Sequence, residues 1–262
     1  GAGNDFIVID NYNKKINLSA MQIEAICRRG FSVGADGLIM IEKSFKNYNF
    51  FMRFFNNDGK ESEMCGNGGR CAARFAYLKK HAGKKMEFMA KDGPHKAIII
   101  KNNIVKLKMI EPFNIKLKIK LKIKNKIIVG NYLNTGVPHF VIFVNNLENF
   151  DVFNIGKEIR FHKFFAPQGT NVDFIQKINN IYFIRTYERG VEAETYACGT
   201  GATASAIIIN KLKNEKSPVL LKTKGGLLKV YFKRYNFEYV DVWLEGPANV
   251  IYEGKLNKEA MF

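Results

Sequence analysis

Two cysteines stand directly in front of glycine-rich turns: Cys65 in "EMCGNGGRC" (63–71) and Cys198 in "ACGTGATAS" (197–205). A thiol is a useful base only when ionised, and its ordinary pKa is about 8.5. At a helix N-terminus the sulfur meets unpaired backbone N–H groups and the positive end of the dipole, a setting that can lower that value to about 7 or below. Adjacent glycines let a ligand approach the backbone and leave N–H groups free for a carboxylate. Two such thiols suit one reaction in particular. Inverting a stereocentre by proton transfer needs a base on one face and an acid on the other. One thiolate and one thiol supply both, and they exchange roles with the direction of reaction. Donors aimed at the substrate carboxylate would stabilise the developing carbanion without metal or pyridoxal. A lone cysteine is more often a small buried hydrophobe. That reading is kept for Cys27 and for Cys71, whose counterpart in the second turn is Ala204.

The elements around the cysteines recur. "CGNGGRCAA" aligns with "CGTGATASA", "GADGLI" (34–39) with "GTNVDF" (169–174), and "GNDFIVI" (3–9) with "GVPHFVI" (136–142). Three elements in the same order, about half a chain apart, argue for a duplication. Each half carries short β-rich runs broken by Gly, Asn and Asp, and one apolar helix after its cysteine. "SAMQIEAICRR" and "VFNIGKEIRFH" are amphipathic stretches suited to surface helices, the first with Ser19 as N-cap. The expected class is α+β: two pseudo-symmetric domains, each a set of strands wrapped around a central helix. The boundary is placed after Pro112, giving domains of residues 1–112 and 113–248, with 249–262 returning to the first.

Composition excludes more than it selects. The 262 residues suffice for one large or two ordinary domains, and no apolar run approaches the roughly 18 residues a membrane span needs. No signal sequence opens the chain, so a cytoplasmic location is expected. Four cysteines without a C-x-x-C pair, and four histidines, suggest neither a disulfide framework nor a structural zinc site. The formal charge of +17 invites a nucleic-acid reading. Much of the lysine alternates strictly, however, as in "IKLKIKLKIKNK" (115–126). Period two puts lysine on one strand face and Ile or Leu on the other, and such a face also discourages edge-to-edge aggregation.

The ordered set "GAGNDF", "GADGLI", "NNDGKESEMCGNGGRC", "GVPHF", "GTNVDF" and "ERGVEAETYACGTGA" resembles the diaminopimelate epimerase family over essentially the whole chain. The resemblance implies a cofactor-independent isomerase with no metal. It would interconvert LL- and meso-2,6-diaminopimelate, on the route to lysine and cell-wall precursors. It also implies a homodimer acting on a small-molecule substrate, with no nucleic acid and no membrane. Cys65 and Cys198 match the acid/base pair, Cys65 donating and Cys198 accepting in the LL-to-meso direction. Asn4, Asn56, Gly66, Asn67, Asn171, Glu188, Arg189, Gly199 and Thr200 match substrate contacts. Arg189 would clamp the distal carboxylate in bidentate fashion and Glu188 would meet an ammonium. His139 and Glu188 match positions that tune the cysteines, although His139 is equally read as a structural histidine.

Three departures stand out. Gly37 replaces a substrate-binding Gln common in the family, and Val137 replaces an Asn before the Pro-His pair. The chain also begins inside the first motif, where the family usually has a preceding short strand whose loss would weaken the first domain. The main rival is a cofactor-independent racemase of another amino acid on the same fold. A basic nucleic-acid-binding protein is a remoter one, and it predicts aromatic residues among the lysines, where aliphatics stand instead. A reversible Cys65–Cys198 redox protein would leave the glycine turns and the "ERG" charges without purpose.

Overall fold

Alternating and continuous apolar runs make strands the dominant element. The computed structural model describes residues 1–45 and 47–262. The contacts of the chain divide it into two units: Gly1 and Gly3–Leu107 with Gly246–Phe262, and Lys108–Glu245 with Ala2. The first contains β1 (Phe6–Asp10), β2 (Gly37–Glu42), β3 (Phe51–Asn56), β4 (Glu61–Ser62), β5 (Lys85–Ala90), β6 (Gly93–Lys101) and β7 (Ile104–Lys108). The second contains β8 (Phe113–Ile123), β9 (Lys126–Asn134), β10 (Pro138–Phe143), β11 (Asn171–Ile178), β12 (Ile181–Glu188), β13 (Ala193–Thr195), β14 (Val219–Thr223), β15 (Gly226–Tyr235) and β16 (Glu238–Pro247).

The pairing repeats strand for strand. In the first unit the order is β1-β2-β3-β5-β6-β7, and in the second β10-β11-β12-β14-β15-β16, with β4 on β3 and β13 on β12. The first pair of each set is parallel, with Phe6 opposite Gly37 in one and His139 opposite Asn171 in the other. The next pair is antiparallel in both. The duplicated α+β fold expected from motif order is the one observed, and the hairpin β8–β9 is an addition to the second unit.

Helices occupy equivalent places. α1 (Ala20–Cys27) links β1 to β2 and α3 (Val152–Arg160) links β10 to β11, while α2 (Gly66–Leu78) and α4 (Gly199–Lys213) follow the two cysteines. Ser19 closes a capping box with Gln22 at the start of α1, and Asp151 caps α3. α4 lies against β9, β10, β11, β14 and β15, and α2 against β1, β2, β3 and β6. Their composition explains the central position. Ala202, Ala204, Ala206, Ile207, Ile208 and Ile209 are all fully buried, so the body of α4 faces the core on every side and its last turn reaches solvent. Small residues at Ala72, Ala73 and Ala76 let the strands approach α2 as closely.

The lysine-rich strand departs from strict alternation. Lys118, Lys120 and Lys122 are exposed, with Leu121 and Ile123 buried in the core cluster and Ile119 packed against it. Upstream the register with β9 shifts between Phe113 and Ile119. Lys118 has φ +54°, and its N–H donates to Asn131 Oδ1 at 3.0 Å. This bulge turns the strand, so Leu117 is exposed beside the lysines.

Candidate functional site

Both cysteines cap their helices. Cys65 is the N-cap of α2, and its Sγ accepts from the Gly68 N–H at 3.2 Å. Cys198 is the N-cap of α4, and its Sγ accepts from the Gly201 N–H at 3.4 Å. Each sulfur therefore takes the place that a Ser or Asp oxygen fills at an ordinary N-cap, satisfying an orphan amide of the first turn. Neither is in a disulfide. Gly66 and Asn67, and Gly199 and Thr200, are the first two helical residues after each thiol.

In the first unit a chain of polar contacts runs from α2 to the β1–β2 end of the sheet. Asn67 Nδ2 donates to Asn4 Oδ1 at 2.5 Å, and Asn4 Nδ2 donates to Asp36 Oδ2 at 2.9 Å. Arg29 holds the other Asp36 oxygen at 2.9 Å and also grips Asp5. Its guanidinium beside Asp5 holds that carboxyl below the usual range. Asn56 ends β3, is exposed, and pairs with Gly37, which is level with Phe6 at the same end of the sheet. The structure gives Gly37 a packing reason. A Cβ there would lie 2.5 Å from the Phe55 carbonyl oxygen and 2.8 Å from the Phe54 ring, so no longer side chain fits.

In the second unit the buried groups gather around Cys198. His139 and Asp173 are both fully buried, with His139 Nδ1 2.7 Å from Asp173 Oδ2. Thr186 Oγ1 donates to the other Asp173 oxygen at 2.7 Å. A carboxylate only accepts, so Nδ1 carries the proton and Nε2, which has no protein partner, is the free nitrogen. Glu188 accepts from Thr195 Oγ1 at 2.9 Å. Asn171 is used structurally, donating to the Pro138 carbonyl at 2.9 Å and accepting from the Arg189 N–H at 2.9 Å. The Arg189 guanidinium donates to the Gln168 carbonyl at 3.3 Å. Close approach explains Gly201: a Cβ there would lie 2.3 Å from Asp173 Oδ1 and 3.3 Å from His139 Cε1.

The electrostatics correct one expectation. A helix-mouth position predicts a lowered thiol pKa, but Cys198 is pushed well above its ordinary value. Burial is the main cause, and the charges of Glu188 and Asp173 add to it, against weaker hydrogen bonds from Thr200 and Gly201. Cys198 therefore rests as a thiol. Burial also raises Glu188, opposed by Thr195 and the His139 charge. Sequence reasoning passes over Asp173, Thr186, Asp36 and Arg70. Asp173 and Thr186 show only as polar residues at a core-facing register, which needs the strand pairing to be seen, and Arg70 and Asp36 show only through helix packing and the Arg29 contact. Among the described residues no cluster of three His, Cys, Asp or Glu side chains could hold a metal ion. Among the described residues no helix is long and apolar enough to cross a membrane.

The pseudo-symmetric fold is shared with structures of low sequence identity. A phenazine biosynthesis protein of the PhzF family from Bacillus anthracis superposes with a TM-score of 0.70 at 16% identity, covering 94% of this chain and 91% of that one. A hydroxyproline epimerase from Agrobacterium vitis gives 0.65 at 13% identity, covering 87% and 76%. Fold and capped thiols together define the diaminopimelate epimerase-like class. Within that class the chain belongs to the diaminopimelate epimerase family, whose sequence profile matches residues 1–112 and 131–251. The diaminopimelate epimerase of Hydrogenobaculum sp. (strain Y04AAS1) is 44% identical over 99% of this chain and 97% of its own length. That of Aquifex aeolicus (strain VF5) is 40% identical over 100% and 97%. Membership makes the protein an isomerase.

Proposed function

We propose that the protein inverts one centre of LL-2,6-diaminopimelate to give the meso form by two-base proton transfer, serving lysine and cell-wall precursor synthesis in the cytoplasm. The observation that carries this reading is the repeated cap: two thiols, each at a helix N-terminus and each held by the third residue's amide. In the LL-to-meso direction the Cys198 thiolate removes the α-proton and becomes a thiol, while Cys65 gives its proton to the opposite face and becomes a thiolate. The reverse direction restores both. Backbone amides at the two helix mouths, at Gly66, Asn67, Gly199 and Thr200, would bind the carboxylate where negative charge develops.

Cys198 must ionise for this role, and its surroundings oppose that until substrate binds. An ammonium group meeting Glu188 neutralises a charge that holds the thiol protonated. His139, fixed by Asp173, stands beside these groups as a tuning residue, and Arg189 is free to turn from Gln168 to the distal carboxylate. Asn4, Asn56 and Asn171 complete the proposed contacts, Asn171 with one amide hydrogen to spare. The domains of the reading are the two halves, each supplying one thiol, and the family implies a homodimer, which sedimentation would test.

Proton NMR in deuterated water with LL-diaminopimelate tests the proposal. Deuterium entering the inverted centre as meso product accumulates is the expected result, undiminished after prolonged dialysis against EDTA. Exchange confined to another amino acid would keep the two thiols and replace the substrate. The closed packing at Gly37, where no longer side chain can reach a substrate, is the observation such an outcome would draw on. Cys198→Ser should lower turnover at least about a hundredfold, the scale of a lost general base, with an unchanged circular dichroism spectrum. Turnover near the parent's would remove Cys198 from the mechanism.

A further inference from the structure

Arg70 is the largest fully buried side chain of the protein. It lies in the second turn of α2, five residues after Cys65, and its guanidinium folds back toward the helix mouth. Nη1 donates to the Gly66 carbonyl at 3.1 Å and Nη2 to Asn67 Oδ1 at 2.6 Å, while Nε is buried without a partner. A buried cation of this kind is normally matched by a carboxylate. Here burial disfavours the charge, and among the described residues the titratable groups that act in its favour are the thiols of Cys71 and Cys65. Among the described residues, β1, β2, β3 and β6, which pack on α2, bring no titratable group that acts on it. The position is unfavourable on a second count, because the positive end of the α2 dipole lies at the same place.

The contacts of Arg70 also set a direction. A guanidinium can only donate, so the Asn67 atom it meets must be the oxygen. Asn67 Nδ2 is then forced to donate onward to Asn4 Oδ1, which leaves Asn4 Nδ2 to donate to the Asp36 carboxylate. The relay runs one way, from a buried cation to a carboxylate, and fixes the orientation of two amides that are otherwise ambiguous.

We propose that Arg70 is a positioning residue for the first half of the site: its buried charge holds Cys65 ready as a thiolate, and its contact with Asn67 fixes the polarity of the Asn67–Asn4 pair toward substrate. The proposal rests on the reading of Cys65, Asn67 and Asn4 as site residues. With Cys198 resting as a thiol, the unliganded protein then holds a base in Cys65 and an acid in Cys198, the state from which the meso-to-LL direction starts and to which the LL-to-meso direction returns.

The test uses Arg70→Met and Arg70→Lys in the full chain, both in a Cys71→Ser background so that only one thiol remains beside the charge. Thermal melts establish folding. The rate of Cys65 alkylation by iodoacetamide at neutral pH, read from its peptide mass, reports thiolate content without reference to turnover. Met should slow alkylation about tenfold or more, the effect of a one-unit rise in thiol pKa. Lys should keep the parental alkylation rate, since it keeps the charge, yet raise KM because it cannot reproduce the planar fork. A folded Met variant alkylated at the parental rate overturns the charge role, and a Lys variant with unchanged KM overturns the amide role. Should Met not fold, Arg70→Gln gives the same charge comparison. Were the protein inert toward diaminopimelate, the alkylation rates would still decide the role of Arg70's charge.

Discussion

Glu188, a proposed substrate contact, bears a stability cost that its proposed role would explain. Burial raises its pKa from an ordinary 4.5. In strong acid the carboxyl is neutral in both folded and unfolded chains. As pH climbs past 4.5 the unfolded chain ionises first, and stability falls until the folded carboxyl has also lost its proton. At neutral pH the protein therefore carries a buried charge at a net cost. Glu188→Gln should raise stability by about 0.5–2 kcal/mol at pH 7, with the gain vanishing in acid, while activity drops. Denaturant melts at several pH values would check this, and a loss of stability at pH 7 would contradict it. The two thiols are legible in the sequence because glycine turns mark them. Asp173 and Arg70 are not, because an acid in "GTNVDF" or a base in "GNGGRC" looks like a solvent-facing residue until strand pairing and helix packing bury it.

The helices after the cysteines carry both core and chemistry. Four positions of α4 make the point: Cys198 and Gly201 form its mouth, and Ile207 and Ile208 are fully buried in its body. Ile208→Ala should cost about 2–5 kcal/mol, the range for emptying a packed core site, with kcat retained under conditions where the protein is folded. Gly201→Ala should behave differently. Its Cβ would displace Asp173 Oδ1, which lies 2.3 Å away. We expect a loss of about 1–3 kcal/mol together with a large fall in kcat as His139 loses its orientation. Equal activity in the folded Ala variant would show that the dyad is dispensable. Helix positions and caps follow from local pattern, so "SAMQIEAICRR" foretells α1 and its capping box. The bulge at Lys118 does not, because it depends on the partner strand, where Asn131 supplies the acceptor.

At the scale of the molecule, the basic charge is spread over lysine faces such as Lys118, Lys120 and Lys122. The first unit is built from two separated stretches of chain, Gly3–Leu107 and Gly246–Phe262. The later stretch closes over α1: Ser32 Oγ donates to the Ala260 carbonyl at 3.0 Å, and Leu256 and Met261 pack on Ile23, Ile26 and their neighbours. Replacing Leu256 and Met261 together with Ala should cost about 1–4 kcal/mol and expose α1 to protease before the rest of the chain, because both side chains are only partly buried. Uniform proteolysis would contradict this. Motif order reveals two halves, but which side chains the returning stretch packs on is a matter of long-range contact that no local pattern records.

The split first unit has a consequence during synthesis. A ribosome emits Lys108–Glu245 whole, whereas the strands and helix bearing Cys65 must wait for residues that come last. At about 5–20 residues per second the wait is on the order of ten seconds. Nascent chains halted after Glu245 should show a protease-resistant second unit and a vulnerable first one. On that account the half carrying Cys198 matures first, and the proposed pair of thiols is not complete until Gly246–Phe262 has been made.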